Sequence, residues 1–158
     1  METKELSITL REMARSQRVP LCDKFYNEWS EDDSIDVLLD RYKKGFDFAV
    51  ENDYPTLAFI RANFSKADLH RHLIYIDEEV NEICSNSHTI VCLGKCTGSI
   101  EFNSWSVGNV YLRHESAVKV ISDDMARVMV TEYENSECIK RQYGDSHLTI
   151  YDKREKKD

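Results

Sequence analysis

Glycine is scarce in this chain, five among 158 residues, and none is arranged as a phosphate-cradling loop or a dinucleotide fingerprint. No nucleophile elbow occurs either. No apolar run approaches the roughly 18 residues that a membrane span requires. The opening Met1-Glu-Thr-Lys-Glu5 has neither the basic nor the apolar segment of a secretory leader. Positive charge is also short, with 21 Lys and Arg against 29 Asp and Glu for a net charge of −8. Residues 1–80 hold 11 basic and 17 acidic side chains, and residues 81–158 hold 10 and 12. Neither part offers the basic face of a nucleic-acid binder, so no direct nucleic-acid contact is expected. The cysteines are odd in number, Cys22, Cys84, Cys92, Cys96 and Cys138, which fits reduced thiols in the cytoplasm rather than a disulfide framework.

What the chain does have is a repeat. From His88 to Ile150 one phrase recurs seven times: a small residue, any residue, an apolar residue, any residue, an apolar residue. Copies begin at His88, Gly98, Gly108, Ser116, Ala126, Ser136 and Ser146, at intervals of 10, 10, 8, 10, 10 and 10. Such regularity predicts stacked copies of one unit, none able to bury its apolar face alone. Even intervals preserve side-chain direction along a strand, so the first, third and fifth positions should face one core. Lys140 is the clear exception. Trp105, Tyr133 and Tyr143, with Asn135 and Asp145 before later copies, mark the corners. The same small-to-large gradient in nearly every copy suits like-on-like stacking, and predicts a parallel β-solenoid with two decads per coil. An antiparallel meander closing into a sandwich or barrel is the alternative.

The first part reads as short helices. Thr9-x-x-Glu12 suggests a capping box opening a helix through Arg18, with Pro20 closing it. A second helical segment spans Leu21 to Trp29. Asp32, Asp33 or Ser34 caps a third, in which Ile35, Leu38, Leu39, Tyr42, Phe46 and Ala49 share one face. A shorter helix follows Pro55, and Ser65-x-x-Asp68 caps one more turn. The expected organisation is therefore α+β: a helical capping module over 1–80, a repeat array over 81–152, and a charged tail over 153–158. A DNA-binding helix-turn-helix is opposed by the acidic balance, since Arg41, Lys43 and Lys44 share their helix with Asp36, Asp40 and Asp47.

The phrases Ser116-Ala-Val-Lys-Val120, Met125-Ala-Arg-Val-Met-Val130 and Asn135-Ser-Glu-Cys-Ile139 resemble degenerate Asn-Ala-x-Val-x-Ala repeats of gut Bacteroidales proteins and their phages or mobile elements. The resemblance implies an N-terminal helical segment before a β-solenoid, and no particular activity. Ser116/Val118, Ala126/Val128, Ser136/Cys138 and Ser146/Leu148 are also similar to the spacing in pentapeptide-repeat proteins, although intervening pentads such as Ile121-Ser-Asp-Asp-Met125 depart from it. Some acidic members of that family mimic DNA, which makes an acidic nucleic-acid mimic one functional alternative.

Chemistry-bearing residues are few. Cys84, His88, Cys92 and Cys96 stand four apart and would line one helical stripe as zinc ligands. The β-prone Thr89-Ile-Val-Cys-Leu93 instead points Cys92 into the core as a small apolar group. A zinc-binding protein or metal-dependent enzyme using this region, with His70, His72 or His88, is thus an alternative. Asp123-Asp124 and Glu78-Glu79 diverge on a strand and read as solvent residues. With no catalytic constellation and no cofactor expected, the leading expectation is a non-enzymatic interaction or structural protein, with an unidentified protein or a second copy as partner. Its surface would be the outward positions of the repeat: Ser99, Asn109, Ala117, Arg127, Glu137 and His147 at position two, and Glu101, Tyr111, Lys119, Met129, Ile139 and Thr149 at position four. Within these sets Glu101, Tyr111, Lys119, Arg127, Met129 and Ile139 are the candidate binding residues, expected on one flat face.

Overall fold

Apolar residues every four positions, Leu6, Leu10 and Ala14, put one buried stripe on the first helix, α1 (Thr3–Arg15). A computed structural model describes residues 1–154. The helix begins well before Thr9, with Glu2 at its N-cap and no side-chain cap, so the Thr9-x-x-Glu12 pattern lies inside it. Three short helices later in this part do start on capping side chains. Ser34 Oγ accepts from the Val37 N–H at 3.2 Å to open α3 (Ile35–Lys44), Thr56 does the same for α5 (Leu57–Asn63), and Ser65 for α6 (Lys66–Arg71). Between them, α2 (Asp23–Glu28) buries no residue, and α4 (Phe46–Asn52) is split from α3 at Gly45 rather than continuing it. The Trp29 indole N–H donates to Ser7 Oγ at 3.1 Å, and Ser7 Oγ donates to the Ser30 carbonyl at 2.7 Å, so the one buried polar group of α1 is satisfied. The Tyr54 hydroxyl donates to the Leu10 carbonyl.

The chain divides into a helical unit, Met1–His72, and a strand unit from Leu73 onward. This boundary lies earlier than residue 80, because two strands precede the recognisable repeat: β1 (Ile74–Ile76) and β2 (Glu79–Cys84). Seven follow: β3 (His88–Leu93), β4 (Thr97–Phe102), β5 (Val107–Leu112), β6 (Ala117–Ser122), β7 (Arg127–Glu132), β8 (Glu137–Gln142) and β9 (His147–Asp152). The expected tail over 153–158 keeps only Lys153 and Arg154 among the described residues. Every strand pair is parallel. Odd strands form one sheet in the order β1-β3-β5-β7-β9 and even strands the other, β2-β4-β6-β8. The fold is therefore a two-sided parallel β-solenoid of four coils and a half-coil, and the antiparallel meander is set aside.

Register follows the repeat. Residues pair with those 20 positions on, as in Val110 with Val130 and Val130 with Ile150, except in the first coil, where Val80 pairs with Gly98 and Ile74 with Val91. The inward set is as the even intervals required. Ile90, Ile100, Phe102, Val110, Leu112, Val118, Val120, Val128, Val130 and Leu148 fill the core, while Lys140 is exposed near the C-terminal end of the array.

Corners carry the less visible part of the design. Residues 94, 104, 114, 124, 134 and 144 all have positive φ, and only two of them are glycine. The next residue but one, Cys96, Ser106, Ser116, Ala126, Ser136 or Ser146, is buried and begins each decad. The true phase thus starts at 96 and 106, and the single interval of eight vanishes. Small residues are needed there because the chain turns tightly: the N–H of Ser106, Ser116, Ala126 and Ser136 closes on the carbonyl three residues back at 3.1–3.2 Å. The buried hydroxyls of Ser116 and Ser136 donate to the Gly94 and Leu112 carbonyls. Left-handed Ser, His, Asp and Glu are held by the neighbouring coil. His114 Nδ1 accepts from the Gly94 N–H at 2.9 Å, Asp124 Oδ2 from the Ser104 N–H at 2.8 Å, and Glu134 Oε2 from the His114 N–H at 2.7 Å.

Glu134 also takes the guanidinium of Arg113, whose side chain is 5% exposed. Burial pushes the Glu134 carboxyl up, but the Arg113 guanidinium and the His114 N–H outweigh it and hold the group below its ordinary 4.5. A carboxyl lowered by folding contributes stability above its unfolded value and loses it as pH falls through the folded one. Glu134→Gln should therefore cost about 1–2 kcal/mol at pH 7, with allowance for the partly exposed carboxylate. The gap to the parent, followed by urea denaturation, should close progressively as pH drops below 4.5. A gap constant from pH 7 to pH 3 would contradict this.

Candidate interaction faces

Because successive strands alternate between sheets, the six candidate surface residues do not share a face. Tyr111, Arg127 and Met129 lie on the odd-strand sheet, and Glu101, Lys119 and Ile139 on the even-strand sheet. The expectation of one flat face overlooked that two decads make a coil.

The two faces differ chemically. On β5, β7 and β9 the outward positions align as Val107, Arg127 and His147; Asn109, Met129 and Thr149; and Tyr111, Thr131 and Tyr151. Apart from Arg127 and His147 these nine are hydroxyl, amide, aromatic or aliphatic, in a chain with 32% charged residues. Arg127 is itself occupied, its Nη1 donating to the carbonyls of Met125, Ala126 and Asp145 at 3.0–3.1 Å. It ties one corner to the next rather than projecting a free charge. Tyr111 lies 6.5 Å, centroid to centroid, from Tyr133 at the next corner. The even-strand face is mixed: Glu79, Glu101, Lys119, Glu137 and Arg141 punctuate Asn81, Ile83, Ser99, Ile121 and Ile139. Thr131 and Tyr151 belong to the first face but sit at the sixth position of the repeat, outside the five-residue phrase. Their spacing of 20 and 40 residues from Tyr111 is the signal that identifies them.

The thiol-rich segment is interior. Cys92 in β3 and Cys96 at the following corner are both fully buried, with their thiols hydrogen-bonded. That bond, reinforced by backbone N–H groups of Glu78 and Asp77, brings the Cys96 thiol down to about 7 against the opposing effect of burial, while Cys92 is pushed up. Cys84 ends β2 on the other sheet, and His88 is exposed at the start of β3. Among the described residues no three His, Cys, Asp or Glu side chains gather as a metal set. His72 Nε2 meets Asp36 Oδ1 at 2.8 Å beside Arg71, and these two partners hold the Asp36 carboxyl below its usual range. His70 lies in the last turn of α6. Tyr75 donates to Glu82, a pair on inward positions of the first coil.

Fold and faces together define the class: a short two-sheet β-solenoid preceded by a unit of six helices. Comparison with protein-family models, curated proteins and solved structures finds no match for the chain. No described helix is long and apolar enough to cross a membrane.

Proposed function

We propose that the protein is a non-enzymatic interaction protein that engages a protein partner through the odd-strand face of its solenoid. The near absence of free charge from the outward positions of β5, β7 and β9 carries this reading, set against the charged even-strand face of the same array. Cores of protein interfaces are depleted in charge and enriched in Tyr and Met, and a face built of ladders at a fixed spacing presents them on a flat lattice. Met129 and Tyr151 stand exposed on that lattice. The resemblance to gut Bacteroidales and phage repeat proteins brings no activity with it, and supports only the choice of host extract.

A photo-reactive phenylalanine analogue at Met129 or at Ile139 reads the two faces separately. In such an extract the Met129 probe should yield discrete protein adducts at least tenfold more abundant than the Ile139 probe. An adduct of twice the chain mass would identify a second copy as the partner. Adducts confined to the Ile139 probe, or none from either, would overturn the assignment.

A further inference from the structure

The helical unit contains an open cavity of about 300 Å³ between α2 and the break that separates α3 from α4. Leu21, Phe25, Trp29, Val37 and Phe48 supply its apolar wall. It adjoins a smaller void of about 70 Å³, which shares Leu21, Trp29 and Phe48 and extends to Leu10 and Ala14 in the core. The opening has a local cause. Gly45 places no side chain at the helix break, and α2 buries nothing of its own, leaving Phe25 51% and Val37 39% exposed at the rim.

We propose that this cavity binds an uncharged small molecule with an aromatic or alicyclic body. Its volume lies at the lower end of ligand pockets, which run from about 300 to 1,000 Å³. The two cations in its wall are already held by carboxylates: Arg41 Nε by Asp33 at 3.0 Å, and Lys44 Nζ by Asp40 at 2.9 Å. Arg41 Nη2 also donates to the Glu28 carbonyl at 2.6 Å. An anionic ligand would compete with Asp33 and Asp40 for these cations and meet the Glu28 and Asp40 carboxylates, whereas a neutral one disturbs neither pair. The inner void, walled chiefly by apolar side chains, gives water few partners, so an apolar ring edge enters it without displacing a well-bound water. Phe25, Trp29 and Phe48 offer ring faces and edges to such a body.

Trp29 reports on the site directly, because the chain has two tryptophans and the other, Trp105, is exposed at a solenoid corner. In the full chain carrying Trp105→Phe, the neutral fluorophore N-phenyl-1-naphthylamine should bind saturably at one per chain, with emission sensitised by excitation of Trp29. Val37→Lys should weaken binding at least tenfold with unchanged circular dichroism. The anionic 8-anilinonaphthalene-1-sulfonate should bind the parent at least tenfold more weakly. If Val37→Lys disturbs folding, Val37→Trp, which fills the cavity with apolar bulk, should show the same loss. The proposal is overturned by absence of saturable binding, by equal binding in the Val37 variants, or by a sulfonate that binds as well as the neutral probe. Probe release on raising the protein concentration, with a dimer in sedimentation, would overturn it in favour of a second copy seated on the cavity.

Discussion

Gly98→Ala is expected to destabilise the solenoid by about 3 kcal/mol or more, combining backbone strain with overpacking. Two observations at this position act together. Gly98 has φ +100, a conformation that side-chain-bearing residues rarely adopt, and a Cβ there would fall on the Val80 carbonyl oxygen and within 2.8 Å of the Val80 nitrogen. Val80 is the register partner of Gly98 in β2, and the obstruction is backbone, which cannot rotate aside. Relief requires β2 to lift away from β4 and open the first coil. Urea denaturation should show a lower midpoint, with amide exchange rising first in residues 79–84. A midpoint within about 0.5 kcal/mol of the parent, the range of innocuous surface changes, would mean that the close approach is not a constraint.

Phe102→Ala should cost a similar amount, about 3–5 kcal/mol, since it removes the largest fully buried side chain of the array. Phe102 is fully buried, and its ring occupies the space in front of Gly108, whose added Cβ would lie 2.6–2.7 Å from three ring carbons. Glycine at 108 is thus explained by a side chain rather than by the backbone, and this separates it from Gly98. Gly108→Ala alone should cost about 1–3 kcal/mol through overpacking. In a Phe102→Leu background the same change should be nearly neutral, giving a coupling of about 1 kcal/mol or more in a double-mutant cycle. No such rescue should exist for Gly98→Ala. Additive effects of Gly108→Ala and Phe102→Leu would refute the steric account.

The parity of the repeat was legible because strand side chains alternate strictly, so even intervals left Ile100, Val110, Val120 and Val130 on one side whatever phase was chosen. Parallel stacking was legible from the small-to-large gradient. Three things were not. The first coil escaped notice because its steps are 17 and 18 residues rather than 20, and because Tyr75 and Glu82 place polar atoms where the next coil has Cys92 and Ile100. The corner phase was hidden because Gly, Ser, His, Asp and Glu all occupy its left-handed position, their conformation being secured by the adjacent coil. The start of α1 carried no capping side chain to announce it, whereas Ser34 and Ser65 announced theirs and Pro55 announced the helix that Thr56 caps. At the candidate surface, individual outward residues were legible and their partition was not. Membership of one face depends on counting strands, not positions.

That partition governs how the molecule tolerates change in length. One strand and one corner together take ten residues, and strands alternate between sheets. Gain or loss of twenty residues lengthens or shortens both faces and leaves every later side chain on its own side. Gain or loss of ten preserves the core equally well, yet transfers everything downstream to the opposite face, so that Met129 and Tyr151 would exchange sides with Ile139. Stability is blind to the difference and recognition is not. A solenoid of this kind therefore holds its binding identity in whole coils, and half-coil variants are where a well-folded array with altered specificity would arise.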